Sequence, residues 1–192
     1  MKITLEWLKE KCICKEALKE FEKEIKQKLS PLEALDILIK KDKLEWANWL
    51  IVRCMNYKQC VSYAVFAAEQ VIDIYEKRYP NDDRPRKAIE AAKKCITDPS
   101  VENKKAAVSA ADDVFTYNDD DNVAAAASAY AAATTSIDDV FTYNDDDNVA
   151  AAASAYAAFT AAAAAMACAV SVRKKMRLKI LNYGIELLKK EA

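Results

Sequence analysis

Glycine occurs once in these 192 residues, at Gly184, and histidine does not occur. A single glycine rules out a glycine-rich phosphate loop and a dinucleotide-binding fingerprint. Without histidine there is no imidazole for general acid–base work or metal ligation, and no Ser–His–Asp or Cys–His nucleophile. Proline and glycine are both missing from Ser100 to Tyr183. Over that stretch only side-chain propensity can interrupt a helix. Lysine and arginine are missing from Ala106 to Val172. The apolar run Thr160–Val172 is dominated by alanine and falls short of the roughly 20 strongly apolar residues of a membrane span. Asp, Glu, Cys, Lys and Tyr remain as catalysts in principle, but no set of them forms a motif. The expectation is a non-enzymatic protein with no metal, no cofactor and no membrane segment.

What is present is segregated by charge. The net charge is −1, so no global field selects nucleic acid as a partner. Locally the picture differs. The span without basic residues holds ten aspartates: Asp112, Asp113, Asp119, Asp120, Asp121, Asp138, Asp139, Asp145, Asp146 and Asp147. Basic residues then crowd into "RKKMRLK", Arg173–Lys179. The aspartates belong to a duplication: "DDVFTYNDDDNVAAAASAYAA" runs from Asp112 to Ala132 and again, unchanged over 21 residues, from Asp138 to Ala158.

Six cysteines could suggest disulfides. The amphipathic, charged opening "MKITLEWLKEKCICKE" has no leader-like pattern, however. Most of the cysteines sit in apolar helical patterns, where a free thiol behaves as a small hydrophobe. Reduced thiols in a cytoplasm are the expectation. Cys12 and Cys14 lack a second pair with zinc-ligand spacing.

Every segment reads as helix, so the expected fold is an all-α multi-helix bundle. A short amphipathic helix opens at "TLEWLKEKC". A second spans about Lys15–Leu29, with Ala17, Leu18, Phe21, Ile25 and Leu29 on one face. "SPLEALDILIKK" carries Ser30 as N-cap, Pro31 at the first helical position and Glu33 to close a capping box. "KDK" at 41–43 is a polar break before a helix from about Leu44 to Cys54, whose Trp46 and Trp49, with Trp7, are expected in the core. A long helix, apolar nearly all round, is expected over Lys58–Arg78 and belongs in the middle of a bundle. Pro80 ends it, Asp82 or Asp83 with Pro85 starts the next, and "TDPS" separates that one from a helix opening at Ser100.

The expected organisation is a core over 1–99 and an Ala-rich helical region over 100–192, packing as one domain. The second part holds the 26-residue tandem repeat, 112–137 and 138–163. "TYNDDDN" favours turns and caps, and "VAAAASAYAA" is close to ideal helix former. Each copy therefore reads as helix end, acidic turn and Ala-rich helix, which would give a helical hairpin or extension. The offset of 26 residues, about 7.2 helical turns, also fits one continuous helix. The last helix is expected from about Asn148 onward.

The stretch "LEWANWLIVRCMNYKQCVSYAVFAAEQVIDIYEKRYPNDDRPRKAIEAAKKC" resembles the putative immunity-protein family of small helical bacterial and phage proteins. The recognisable pieces are "CVSYAVFAAEQVIDIYEKRYP" and "DDRPRKAIEAAKK", followed by an Ala-rich tail punctuated by Asp and Tyr. The resemblance implies protection against a toxin through binding. It brings no catalytic motif.

Three sets of candidate site residues follow. Asp119, Asp120, Asp121, Asp145, Asp146 and Asp147, with Tyr117 and Tyr143, could form an acidic, aromatic surface for a protein partner. The alternative is a solvated helix start with tyrosines filling gaps between Ala-rich helices. A calcium loop is disfavoured, since the mid-loop glycine is missing and position 12 is Ala129. Arg78, Arg84, Arg86 and Lys87 could grip a nucleotide, or else pair with Asp82 and Asp83 and cap helix ends. "RKKMRLK" could meet the acidic turns within one chain or between chains, which would make a self-associating protein. The leading expectation is an immunity or phage anti-defence factor that neutralises a toxin or defence effector by direct contact. A nucleotide-signal binder and a self-associating helical protein are the alternatives.

Overall fold

The structure, a computed structural model, describes residues 2–11, 13–24, 28–115 and 170–190. Every regular element among them is an α-helix, joined by one isolated antiparallel bridge between Ile3 and Leu29. The helices are α1 (Leu5–Glu10), α2 (Lys15–Glu24), α3 (Pro31–Lys40), α4 (Leu44–Cys54), α5 (Tyr57–Glu69), α6 (Ile72–Arg78), α7 (Arg84–Thr97), α8 (Val101–Phe115) and α9 (Val170–Lys190). The all-α fold class is as expected. The hairpin or extension built from the repeats lies outside the described residues, and so does the choice between turn and continuous helix.

Local signals place most helix ends. Thr4 caps α1 by accepting the Trp7 N–H at 3.2 Å. At α3 the capping box is complete: the Glu33 N–H donates to Ser30 Oγ at 3.3 Å, and the Ser30 N–H donates to the Glu33 carboxylate at 2.7 Å. Pro31 follows at the first helical position, where its missing N–H has no partner to lose. The "KDK" break is a Schellman turn. The Lys43 N–H reaches the Leu38 carbonyl at 2.8 Å and the Asp42 N–H reaches that of Ile39 at 3.0 Å. Asp42 takes φ 59° there, a left-handed position that short polar side chains tolerate better than most.

Two sequence expectations are corrected. Leu29 is not helical: the Ile3 N–H donates to its carbonyl at 2.7 Å. Ser30 precedes a proline, which disfavours helix, and it is extended at φ −71°, ψ 157°. The chain is therefore already out of helix before α3. The long helix over 58–78 is two helices, broken at Gln70–Val71. The Gln70 side-chain amide donates to the Phe66 carbonyl at 3.0 Å, the group an α-helix would offer to its backbone N–H. That N–H turns instead to Ala67, and the Val71 N–H to Ala68. The turn tightens to three-residue spacing, and Val71 leaves helical geometry at φ −129°, ψ −10°.

The chain forms two compact units, Met1–Cys54 and Met55–Ala192. In the first, α1 packs with α2 and α3 with α4. Ile3, Leu8, Ala17, Phe21, Leu35, Leu38, Leu50 and Ile51 are buried. Lys41 at the end of α3 reaches Glu20 of α2 at 3.7 Å. The tryptophans depart from expectation, for Trp7, Trp46 and Trp49 are only partly buried. On α4 the wide face of Leu44, Ala47, Asn48, Leu50, Ile51 and Val52 is buried, and Trp46 and Trp49 occupy the remaining arc. Cations cover their rings: Lys43 Nζ lies 4.8 Å from Trp46 and the Arg53 guanidinium 4.1 Å from Trp49.

In the second unit α5 is central, packing against α6, α7 and α9. Asn56 and Gln59 form its capping box, each pair at 2.9 Å. Cys60 through Val65, Ala67 and Ala68 are buried on it, which matches its apolar circumference. A large buried side chain of this kind contributes roughly 1.5–3 kcal/mol. α7 buries Pro85, Ala88, Ile89, Ala92 and Cys95, spaced as one helical stripe, and packs along α8 through Ala107 and Ala111. Small residues on both faces let the two axes approach closely. Asp98 organises the turn between them, accepting from the Ser100 N–H at 3.2 Å and from Asn103 Nδ2 at 2.9 Å. α9 buries Ile180, Leu181 and Gly184. Beside Gly184 the Tyr183 ring stacks on Phe66 of α5, centroids 4.0 Å apart. Gln59 Nε2 donates to the Leu187 carbonyl at 2.9 Å, so one residue both caps α5 and holds the end of α9.

Candidate functional site

Of the sequence-derived site residues, the structure describes the Arg/Lys cluster and not the acidic surface. Tyr117, Asp119, Asp120, Asp121, Tyr143, Asp145, Asp146 and Asp147 lie outside the described residues. What is described of the repeat is its opening: Asp112 and Asp113, both exposed, in the last turn of α8. The basic stretch opens α9, with Arg173, Lys174, Lys175 and Lys179 exposed.

The corner between α6 and α7 is the best-built polar site among the described residues. Tyr79 leaves helical geometry ahead of Pro80, with its N–H still on the Tyr75 carbonyl at 2.9 Å. The chain turns through Asn81, Asp82 and Asp83 and re-enters helix at Arg84 with Pro85 in the first turn. Asp83 holds the N-cap position but makes no side-chain cap bond. Asp82 does the local work instead. Its carboxylate accepts the Arg84 backbone N–H at 3.1 Å, Arg84 Nε at 2.7 Å and Nη2 at 2.5 Å, a bidentate charge-assisted pair. The same carboxylate accepts the Tyr75 hydroxyl at 2.6 Å.

These contacts shift the groups as charge and burial require. The Arg84 hydrogen bonds, aided by Tyr75, hold the Asp82 carboxyl well below the usual carboxylate range against the opposing effect of burial. Asp82 in turn raises Arg84. Burial, and then the bond to Asp82, pushes the Tyr75 hydroxyl up to about 12. Two other cations of the cluster, Arg86 and Lys87, also face carboxylates. Arg86 makes two 2.7 Å bonds to Glu76 and a 3.5 Å contact to Asp73, and Glu76 is lowered as a result. Lys87 pairs with Asp83 at 3.0 Å. The Arg78 guanidinium lies 5.8 Å from the Tyr79 ring. A phosphate at this corner would compete with carboxylates already in place for Arg84, Arg86 and Lys87.

Four residues escape a reading of the sequence. Tyr75 looks like apolar helix surface there, although it stands seven residues before Asp82 across the proline turn. Glu76 and Asp73 sit one turn apart on α6, facing Arg86, and that pairing needs the corner's geometry. Lys104 is nearly fully buried, with Nζ 4.9 Å from the Tyr57 ring. Its spacing to Ala107 and Ala111 is the available signal, since all three share one face of α8. Among the described residues no cluster of Cys, Asp or Glu has the arrangement of a metal site, and no helix is long and apolar enough to cross a membrane. Cys14, Cys54, Cys60 and Cys95 are not joined in disulfides.

Among known families, the model described as Imm-5 like putative immunity protein matches residues 52–140. This is the family that the sequence from Leu44 to Cys95 resembles. The match takes in α5 to α8, the corner and the whole first copy of the repeat, and it stops three residues into the second copy. No curated protein matches the chain, and no solved structure does.

Proposed function

We propose that this chain is a non-enzymatic binding protein of the immunity type, which neutralises a toxin or a phage-defence effector by direct protein contact in the cytoplasm. The family match over residues 52–140 carries this reading. Two further observations support it. Histidine is missing throughout the chain, and the ionic groups at the best-built corner are engaged with one another rather than arranged around a reacting atom. The partner surface we assign is the acidic repeat, Asp119–Asp121 and Asp145–Asp147 with Tyr117 and Tyr143. Dense carboxylates beside aromatics would recognise a basic protein face and steer its approach, an effect that weakens with salt.

The test uses the full chain as bait in a lysate of cells carrying the toxin or effector, followed by growth rescue with the captured protein. Changing the six aspartates to Asn should abolish capture and rescue while the helical circular dichroism and melting temperature are kept. Undiminished rescue by the Asn variant would remove the acidic surface from the account. No rescue by the unaltered chain of cells expressing its captured partner would remove the immunity reading itself.

A further inference from the structure

Arg84 does more than close its own turn. With Nε and Nη2 fixed on Asp82, its remaining terminal nitrogen, Nη1, donates to the backbone carbonyl of Asp113 at 3.3 Å. Asp113 stands in the last turn of α8 and is the second residue of the repeated segment. One side chain therefore joins four parts of the second unit: Tyr75 of α6 through Asp82, the Pro80–Asp83 corner, the first turn of α7, and the end of α8. The geometry suits the task. A backbone carbonyl has two lone pairs, so that of Asp113 can accept a guanidinium N–H whatever its own helix bond. A planar fork can hold a carboxylate with one edge and offer the other, which lysine cannot. Asp82 and Tyr75 preset the fork: the Arg84 side chain is about one-third exposed and that of Asp82 about one-fifth, and Tyr75 is buried.

We propose that Arg84 is a positioning residue, a clamp that fixes the Asp113 turn of α8, where the repeated segment opens, against the α6–α7 corner. This role rests on the protein-binding reading for its consequence, because holding the opening residues of the repeat would lower the ordering cost of presenting its aspartates to a partner. It reassigns Arg84 from gripping a ligand to holding the chain.

The experiment pairs hydrogen exchange with binding on the full chain. Arg84→Gln removes both charge and fork, and Arg84→Lys keeps the charge alone. Both should speed amide exchange over Ala110–Phe115 at least tenfold while exchange in α5 stays unchanged. Asp82→Asn, which loosens the fork without touching Arg84, should give a smaller rise at the same amides. Unchanged protection of Ala110–Phe115 in Arg84→Gln overturns the clamp, and so does restoration of full protection by Lys. For the captured partner, affinity should fall several-fold in Arg84→Gln and in Arg84→Lys alike. Faster exchange with unaltered affinity overturns the positioning role. Loss of binding confined to the six-aspartate variant would leave the acidic-surface reading standing, so the two failures are separable.

Discussion

Tyr75 is the residue on which the corner's pH response turns. Burial and the bond to Asp82 hold its hydroxyl protonated, to about 12. In the unfolded chain a tyrosine releases its proton near pH 10. The stability tied to the raised group is thus fully present below about pH 10 and is lost as pH rises through the folded value. Tyr75→Phe should destabilise the chain by about 1–2 kcal/mol at neutral pH, and the gap between variant and native protein should narrow from about pH 10 to 12. Urea titrations of both proteins across that range check this; a constant gap would assign the shift elsewhere. Asp82 has the opposite sign. Its lowered folded value means that its contribution is present above about pH 4 and fades as pH falls below that. At the cysteines, burial pushes the Cys54 thiol up to about 12, whereas Cys14 is exposed. Since the thiolate is the reactive form, iodoacetamide at about pH 8 should label Cys14 well before Cys54 in the folded chain. Peptide mapping by mass spectrometry reads the order, and equal labelling would contradict the burial of Cys54.

At the scale of elements, helix ends are legible wherever the signal is chemical and local. Ser30, Pro31 and Glu33 announce the start of α3, and the box forms as written. Pro80, Pro85 and Pro99 mark the ends and starts of α6, α7 and α8. The break at Gln70 is hidden, because it has neither glycine nor proline and depends on one side-chain amide reaching Phe66. The exposure of Trp46 and Trp49 is hidden for a different reason: an aromatic residue at helical spacing carries no mark of which arc the partner helices leave open. Ser30→Ala should cost about 1 kcal/mol, readable as a lowered urea midpoint. Gly184 tests the packing of α9. It is buried in the face that meets α5, and a helix-interior glycine gives up close to about 1 kcal/mol relative to alanine. Gly184→Leu should therefore destabilise by about 1–3 kcal/mol through overpacking, despite its better helix propensity. A stabilised Leu variant would mean that α9 does not need the small residue there.

For the whole molecule, the sequence announces an all-helical protein and a family resemblance, and the family match begins within α4 and runs to residue 140. The candidate site is legible there only as residue lists. That the "DDRPRK" cations face their own neighbours depends on Tyr75, Glu76 and Asp73, which a linear pattern does not set beside them. The match also bears on the duplication, since it contains one whole copy of the repeat and the first three residues of the other. Excising residues 138–163 should leave the melting temperature of the helical body within a few degrees of the native value and should weaken partner binding without abolishing it. Complete loss of binding would show that the two copies act as one surface.

The central claim is that the chain works by holding another protein. The most direct measurement is native mass spectrometry of the chain recovered from a bacterial lysate, with and without chelator. The account predicts a bare chain, a bare oligomer or a complex whose added mass is that of a protein, unaffected by chelator. A retained small-molecule mass that disappears with Arg84→Gln would contradict it and would make this corner a ligand site.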